Sequence, residues 1–176
     1  MQYILKTDRL QLRELTFDDA SDLAEVLSDP ESMRYYPEPL NAAKVHQWIE
    51  WCQQSYERDG FGLWAVILKE TGECIGDCGI SMQEVDEGKV HEVGYHIKPQ
   101  HSKRGYASEA ARACMEYAFE KLKVEKVYSY MHHQNTPSRR VAEKNGMQFL
   151  REFTKNDMCC AIYGMERREW RINSIR

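Results

Sequence analysis

The feature that most limits how this chain folds is a change of hydrophobic period along it. Between Ala20 and Gly60 apolar residues recur at three and four. From Leu63 they fall in short apolar or alternating runs, and from Ala107 the longer period returns. A period near 3.6 marks a helix with one buried face, while runs of strand formers between turn residues mark strands. The first strand is Leu10-Gln11-Leu12-Arg13, running on to Leu15. Two helices follow, one with the stripe Ala20, Leu23, Ala24 and Leu27, the other with Val45, Trp48, Ile49, Cys52 and Tyr56. Thr16 is placed as the first N-cap, with Asp18 and Asp19 at the positive helix end, and Asp59-Gly60 closes the second helix. Between them Pro30, Pro37 and Pro39 hold a loop carrying Arg34, Tyr35 and Tyr36.

Leu63 to Leu68, Cys74 to Met82 and Val90 to Ile97 are separated by the turns Glu70-Thr71-Gly72-Glu73 and Asp86-Glu87-Gly88, which predicts an antiparallel meander. Ala107, Ala110, Ala111, Cys114, Met115, Ala118 and Leu122 predict a long helix whose small-residue face packs closely on a sheet. Val124 to Met131 reads as a strand, and Asn135-Thr136-Pro137-Ser138 opens a short helix closed by Asn145-Gly146. Met147 to Phe153 and Ala161 to Trp170 read as the last two strands. The order predicts an α/β fold on a mixed sheet, with residues 1–176 as a single domain.

Composition narrows the class. A chain of 176 residues buries roughly 70% of its unfolded surface and needs no metal or disulfide to hold a core. No apolar run approaches the roughly 20 residues that span a bilayer, and the opening MQYILKTDRL is too charged for a signal peptide, which predicts a soluble, cytoplasmic protein without a membrane partner. The net charge of -4 speaks against nucleic acid as a ligand and suits a cationic substrate. The six cysteines lack a disulfide spacing and read as free buried thiols; Cys74 and Cys78, four apart on a strand, are expected on one face. With no HExxH and no CxxC, no metal site is expected.

The segment from Ile97 to Glu109 carries the chemistry. A strand ends, Lys103, Arg104 and Gly105 follow, and a helix begins at once. Free N–H groups at a helix start bind phosphate oxygens, a glycine lets the backbone approach closely, and the two cations add charge-assisted contacts. The same residues also suit a plain turn with two solvated cations. A Walker loop and a dinucleotide fingerprint are both absent.

Gln100-x-x-Lys103-x-Gly105-x-Ala107 between strand and helix resembles motif A, [QR]xxGx[GA], of the GCN5-related N-acetyltransferases (GNAT). Asn135 to Met147 resembles their motif B, NxxSxRVxEKxGF, with Met147 for Phe. Thr7-Asp8-Arg9-Leu10-Gln11-Leu12-Arg13 and Glu92-Val93-Gly94-Tyr95 are similar to the TxRLxLR and EIGY stretches of the RimJ/RimL-type branch, which includes ribosomal-protein N-terminal acetyltransferases. Lys103 stands where motif A has its first glycine. The resemblance implies a mixed, mostly antiparallel central sheet flanked by helices, with strands 4 and 5 splayed. It also implies acetyl-CoA as co-substrate and a primary amine as acceptor, on a small molecule or a protein N-terminus.

Residue roles follow from the same resemblance. Tyr95, His96 and Ile97 would pair through their backbone with pantetheine. Ser102, Lys103, Arg104, Gly105, Tyr106, Ala107 and Ser108 would hold the diphosphate, and Asn135 and Ser138 would face the pantetheine arm. Glu92, on the strand leading to the acyl site, is the expected base, against the alternative of a solvent-facing carboxylate. N–H groups near Val93 to Tyr95 would polarise the thioester carbonyl. The motif B tyrosine that serves many relatives as acid is replaced by Ala142, which leaves Ser138 as the expected acid, with Tyr163 or a water behind it. Trp48, Trp51 and Trp64 read as core, His132-His133 as exposed polar residues, and Arg167, Arg168, Arg171 and Arg176 as a solvated face. Two other readings stay open: another acyl donor such as succinyl-CoA, and a CoA-binding module without turnover. Edge strands leave a homodimer open.

Overall fold

The computed structural model describes residues 2–86 and 88–174. Glu87 of the expected turn and Arg176 of the expected solvated face lie outside the described residues. The strands are β1 (Leu5–Lys6), β2 (Leu10–Arg13), β3 (Leu63–Leu68), β4 (Cys74–Val85), β5 (Gly88–Ile97), β6 (Lys126–His132), β7 (Gln148–Lys155) and β8 (Met158–Glu166). The helices are α1 (Ala20–Leu27), α2 (Ala42–Asp59), α3 (Tyr106–Glu120), α4 (Thr136–Lys144) and α5 (Arg167–Ser174). One eight-stranded sheet runs in the order β1-β2-β3-β4-β5-β6-β8-β7. Each neighbouring pair is antiparallel except β5 and β6, so the mixed, mostly antiparallel expectation holds.

Helices cover both faces of the sheet. Ala110, Ala111, Cys114, Met115, Ala118 and Phe119 of α3 pack against Leu10, Leu12, Trp64, Val66, Ile75, Cys78 and Val93, an interface of small residues that lets helix and sheet approach closely. Leu23, Val26 and Leu27 of α1 and Val45, Ile49 and Cys52 of α2 pack on the opposite face against Leu63, Ala65 and Ile67. α2 is held at its ends by local chemistry. Asn41 Oδ1 accepts from the Lys44 N–H, and Gly60 takes the left-handed conformation (φ 78°) beyond its last turn. At Thr16 the expected cap forms by a different route, the Thr16 backbone N–H donating to the buried Asp19 carboxylate (2.8 Å), which Arg13 also pairs.

Two expectations are corrected. The last strand stops at Glu166, and residues from Arg167 form α5 instead of continuing to Trp170. The Glu169 carboxylate accepts the Glu166 N–H at 2.8 Å, a helix-start bond, and Trp170 stacks on Phe119 of α3 with ring centroids 5.6 Å apart. Of the terminal arginines, Arg167 is half-buried beside Glu125, whereas Arg168 and Arg171 are solvated.

The second correction concerns Cys74 and Cys78, which are on opposite faces. Cys74 packs with the α1/α2 cluster and Cys78 with the α3 cluster, where its Sγ lies 3.7 Å from Cys114 Sγ. Val66 pairs with Gly76 and Ile67 with Cys74, so one residue of β4 is extra at this point. Such a bulge shifts the alternation by one and turns every residue beyond it to the other face. All six cysteines are free.

β5 and β6 share the single register pair Glu92 and Tyr128. Past it the strands part, leaving the β6-facing edge of residues 93–97 without a partner strand while β4 stays paired with β5 as far as Ile97. This is the splay expected between the fourth and fifth strands.

Candidate active site

Where β5 and β6 separate, a cavity opens toward the α1–α2 loop. Tyr35, Tyr36, Trp48, Trp51, Tyr130 and His132 wall it, and Glu92, Gly94, Tyr95, His96, Asn135 and Ser138 also line it. Glu92 is buried, not solvent-facing. Its carboxylate folds along the strand over Gly94, where a Cβ would lie 3.1 Å from Oε2, so the bare backbone of Gly94 makes its room. Ser81 Oγ donates to that Oε2 at 3.1 Å. Burial, opposed by Ser81, His96 and Lys155, pushes the Glu92 carboxyl up to about 7. A carboxylate tuned there accepts a proton at neutral pH and can release it again.

His96 stands at the parted edge of β5, and its side chain enters a network with no signature in the sequence. Its Nδ1–H donates to Asp77 Oδ1 at 2.7 Å, and its Nε2 lies 2.9 Å from the Tyr36 hydroxyl. Asp77 is fully buried on β4, and its other oxygen accepts from Trp48 Nε1 at 2.7 Å. Burial alone would lower the His96 pKa, but the Asp77 charge and hydrogen bond outweigh it and hold the imidazole protonated to higher pH. Burial, then the charges of Glu92 and Asp77, raise the Tyr36 hydroxyl above its ordinary value. Trp48 and Trp51 are partly buried against the α1/α2 cluster and also wall the cavity; Trp64 is core, edge-on to Tyr117. His132 stacks on Tyr35, meets His133 at a tilt, and lines the cavity.

On the motif B side, Asn135 Oδ1 accepts from the Ser138 N–H at 3.2 Å and is itself the N-cap of α4. The Tyr95 hydroxyl donates to the Ser138 carbonyl at 2.9 Å, tying β5 to α4. Tyr163, the reserve acid, is absorbed elsewhere: it donates to Glu143 and accepts from Arg139, away from the cavity lining.

The loop before α3 has the features of an anion cradle. Tyr106, Ala107 and Ser108 open the helix, where N–H groups have no acceptor within it, and the first i to i−4 bond is from Glu109 to Gly105. Lys103 (φ 61°) and Gly105 (φ 84°) both take the left-handed conformation. That explains the glycine usual at the Lys103 position and shows that lysine adopts the same backbone there, at a cost of about 1 kcal/mol. A Cβ on Gly105 would meet only Arg9 Nη2 (3.5 Å) and Lys144 Nζ (3.9 Å), so the cradle is open and faces two further cations. Sequence reading missed both. Arg9 is fixed by Glu109 and by the Arg104 carbonyl. These donors fit a diphosphate.

Residues 9–148 match the acetyltransferase (GNAT) domain model. The chain is 36% identical over 160 residues to the uncharacterized protein YkkB of Bacillus subtilis, covering 90% of this chain and 93% of that one. A crystal structure of an acetyltransferase from Agrobacterium tumefaciens aligns with TM-score 0.81 and 30% identity, over 92% of this chain and 93% of the other. One from Bacillus anthracis, of the GNAT family, aligns with TM-score 0.81 and 26% identity over 94% and 99%. Parted parallel strands, an anion cradle ahead of α3 and a domain match across most of the chain lead to one conclusion: this protein belongs to the GNAT family of acetyltransferases.

Proposed function

We propose that the protein moves an acetyl group from acetyl-CoA to a primary amine seated in the aromatic cavity, by direct attack of the amine on the thioester. The observation that carries this reading is Glu92: a buried carboxyl at the point where β5 and β6 part, tuned to about 7. The thioester supplies an acyl group already activated toward amines. The chain then has to bind, orient and move protons.

The backbone of Ser102 to Ser108, with Arg9 and Lys144 beside Gly105, holds the diphosphate. The free edge of Tyr95, His96 and Ile97 takes the pantetheine arm as an added strand, with Asn135 and Ser138 facing it. Glu92 takes the ammonium proton, directly or through water. An α-amine near pKa 8 asks less of such a base than a lysine near 10.4. Aromatic rings dominate the cavity wall, and Glu92 is the carboxylate at its lining. That favours an acceptor with one amine on an apolar or aromatic body over a polyamine, which would need several carboxylates. Whether that amine ends a small molecule or a protein chain of the RimJ/RimL type is decided by the acceptor screen.

The test is thiol release from acetyl-CoA with butylamine, phenethylamine, spermidine and a short peptide with a free α-amine, alongside calorimetry with CoA. Release with a monoamine or the peptide supports the reading. CoA binding with no release from any amine refutes it in favour of a binding module.

A further inference from the structure

We infer that Tyr36, backed by His96 and Asp77, is the acid that returns a proton to the departing CoA sulfur. The inference rests on the acetyl-transfer reading above and fills the place left by Ala142. Three observations carry it. Tyr36 comes from the loop between α1 and α2, and its hydroxyl is turned inward to 2.9 Å from His96 Nε2. His96 Nδ1–H is anchored on Asp77 Oδ1 at 2.7 Å, and Trp48 Nε1 fixes the other Asp77 oxygen, so the imidazole has one orientation. All of this stands on the cavity that Glu92 lines, with Tyr36 on one wall and His96 on the strand whose free edge is assigned to pantetheine. The ring contacts of His96 with Tyr36 and Trp48, centroids 5.5 Å apart in each case, leave the network little freedom.

Only a protonated His96 makes the arrangement work. As imidazolium it donates through Nε2 to the Tyr36 oxygen, which frees the phenolic proton to point into the cavity. When the C–N bond has formed and the C–S bond breaks, sulfur leaves with the electron pair and takes the Tyr36 proton. His96 passes its Nε2 proton to the tyrosinate, and the neutral imidazole is reprotonated from water. The acceptor ammonium loses two protons through Glu92 to solvent, one proton returns through His96, and each turnover releases one net proton. Neutral His96 instead accepts the Tyr36 proton and holds it away from sulfur. Ser138, the acid expected from sequence, has its backbone N–H bonded to Asn135 and its carbonyl to the Tyr95 hydroxyl, and it stands outside the His96–Asp77 pair.

Charged and titratable groups around the relay are few. Asp77 comes from β4 and Glu92 from β5, and both act on His96. Tyr130 of β6 lies within electrostatic reach of Tyr36 and Glu92, Cys52 of α2 within reach of Asp77, and Lys155 within reach of Glu92. Asp77 and Glu92 both favour imidazolium, so the acid form persists to higher pH than in a free imidazole.

The experiment compares wild type, Tyr36→Phe and Asp77→Asn by thiol release with the amine screen, and by NMR titration of the His96 ring in the protein without ligand. Tyr36→Phe keeps the ring and its stacking. It should lower kcat by about 100-fold while KM for acetyl-CoA stays within about twofold. The alkaline limb of the wild-type pH profile should vanish in Tyr36→Phe and move to lower pH in Asp77→Asn. By NMR, His96 should titrate above its ordinary 6.5 in wild type and fall in Asp77→Asn. A Tyr36→Phe enzyme with wild-type kcat and pH profile overturns the relay and leaves the acetyl-transfer reading intact. A wild type that releases no thiol with any amine removes that reading; the NMR arm still judges the relay, which is overturned if the His96 midpoint is at or below 6.5 or unmoved by Asp77→Asn.

Discussion

Glu92, the proposed base, also carries a stability cost. Its pKa in the fold, about 7, lies above the ordinary 4.5, so the neutral form is favoured by folding. Its contribution is complete below about pH 4.5 and is lost as the pH rises through 7. Glu92→Gln should therefore unfold at higher temperature than wild type at pH 8, by on the order of 2–3 kcal/mol, and show no advantage at pH 4.5. Thermal unfolding at the two pH values checks this. In turnover the same variant should lose at least about 100-fold in kcat, with little change in CoA affinity, and lose the acidic limb of the rate profile. Retention of that limb would remove Glu92 as base. At the other end of the site Gly105 separates two causes. Because a Cβ there meets open space, Gly105→Ala should cost only the strain of φ 84°, about 1 kcal/mol of stability. Gly105→Glu adds a charge against the bound anion and should weaken CoA beyond tenfold by calorimetry, roughly the value of a lost charge-assisted contact. Equal affinity for the two variants would show that the diphosphate binds elsewhere.

At the scale of an element, the bulge in β4 decides where the chemistry points. Without the extra residue between Cys74 and Gly76, strict alternation would place Asp77 with Ile75 on the α3 face. The shifted register instead turns Asp77 to the α2 face, within reach of Trp48 and His96. Gly76 permits this because its φ is 146° and because a Cβ there would sit 1.9 Å from the His96 carbonyl oxygen. Gly76→Ala should thus separate β4 from β5 and cost on the order of 3 kcal/mol or more, read by chemical denaturation. A stable Gly76→Ala protein with intact His96 titration would show that the close approach is dispensable. The α3 loop follows the same logic: its path into the helix runs through left-handed backbone at 103 and 105, and Lys103 adopts that backbone without being glycine.

Across the whole molecule, Lys98 ties the layers together at the end of β5. It is almost fully buried, and its ammonium meets Asp22 (2.7 Å) and Glu25 (2.9 Å) of α1 and Glu73 (3.1 Å) of the β3–β4 turn. Lys98 lowers the Glu25 carboxyl, with Gln100 adding to it. Burial would raise Glu73, but Lys98 and His101 outweigh it. Stability from these pairs is present above pH 4.5 and lost as the pH falls through the lowered values. Lys98→Met should cost about 2 kcal/mol at pH 7, since three partly exposed carboxylates lose their partner. It should also flatten the loss of stability below pH 4.5, which unfolding midpoints across pH would record. Period and turn residues determined most of the elements and their order, the Gly60 turn, the helix opening at Asn135 and the loop before α3, because these are local properties of a chain; β1 and α5 were not legible there. Motif spacing likewise singled out Glu92, Tyr95, His96 and Asn135, which line one cavity. The placing of Asp77, Trp48, Tyr36, Arg9 and Lys144 required the tertiary structure: a one-residue bulge reverses which face a strand shows, and contacts between residues up to 100 positions apart depend on how layers stack. The same reason explains α5, whose buried Trp170 is recognisable as an anchor once α3 lies beneath it.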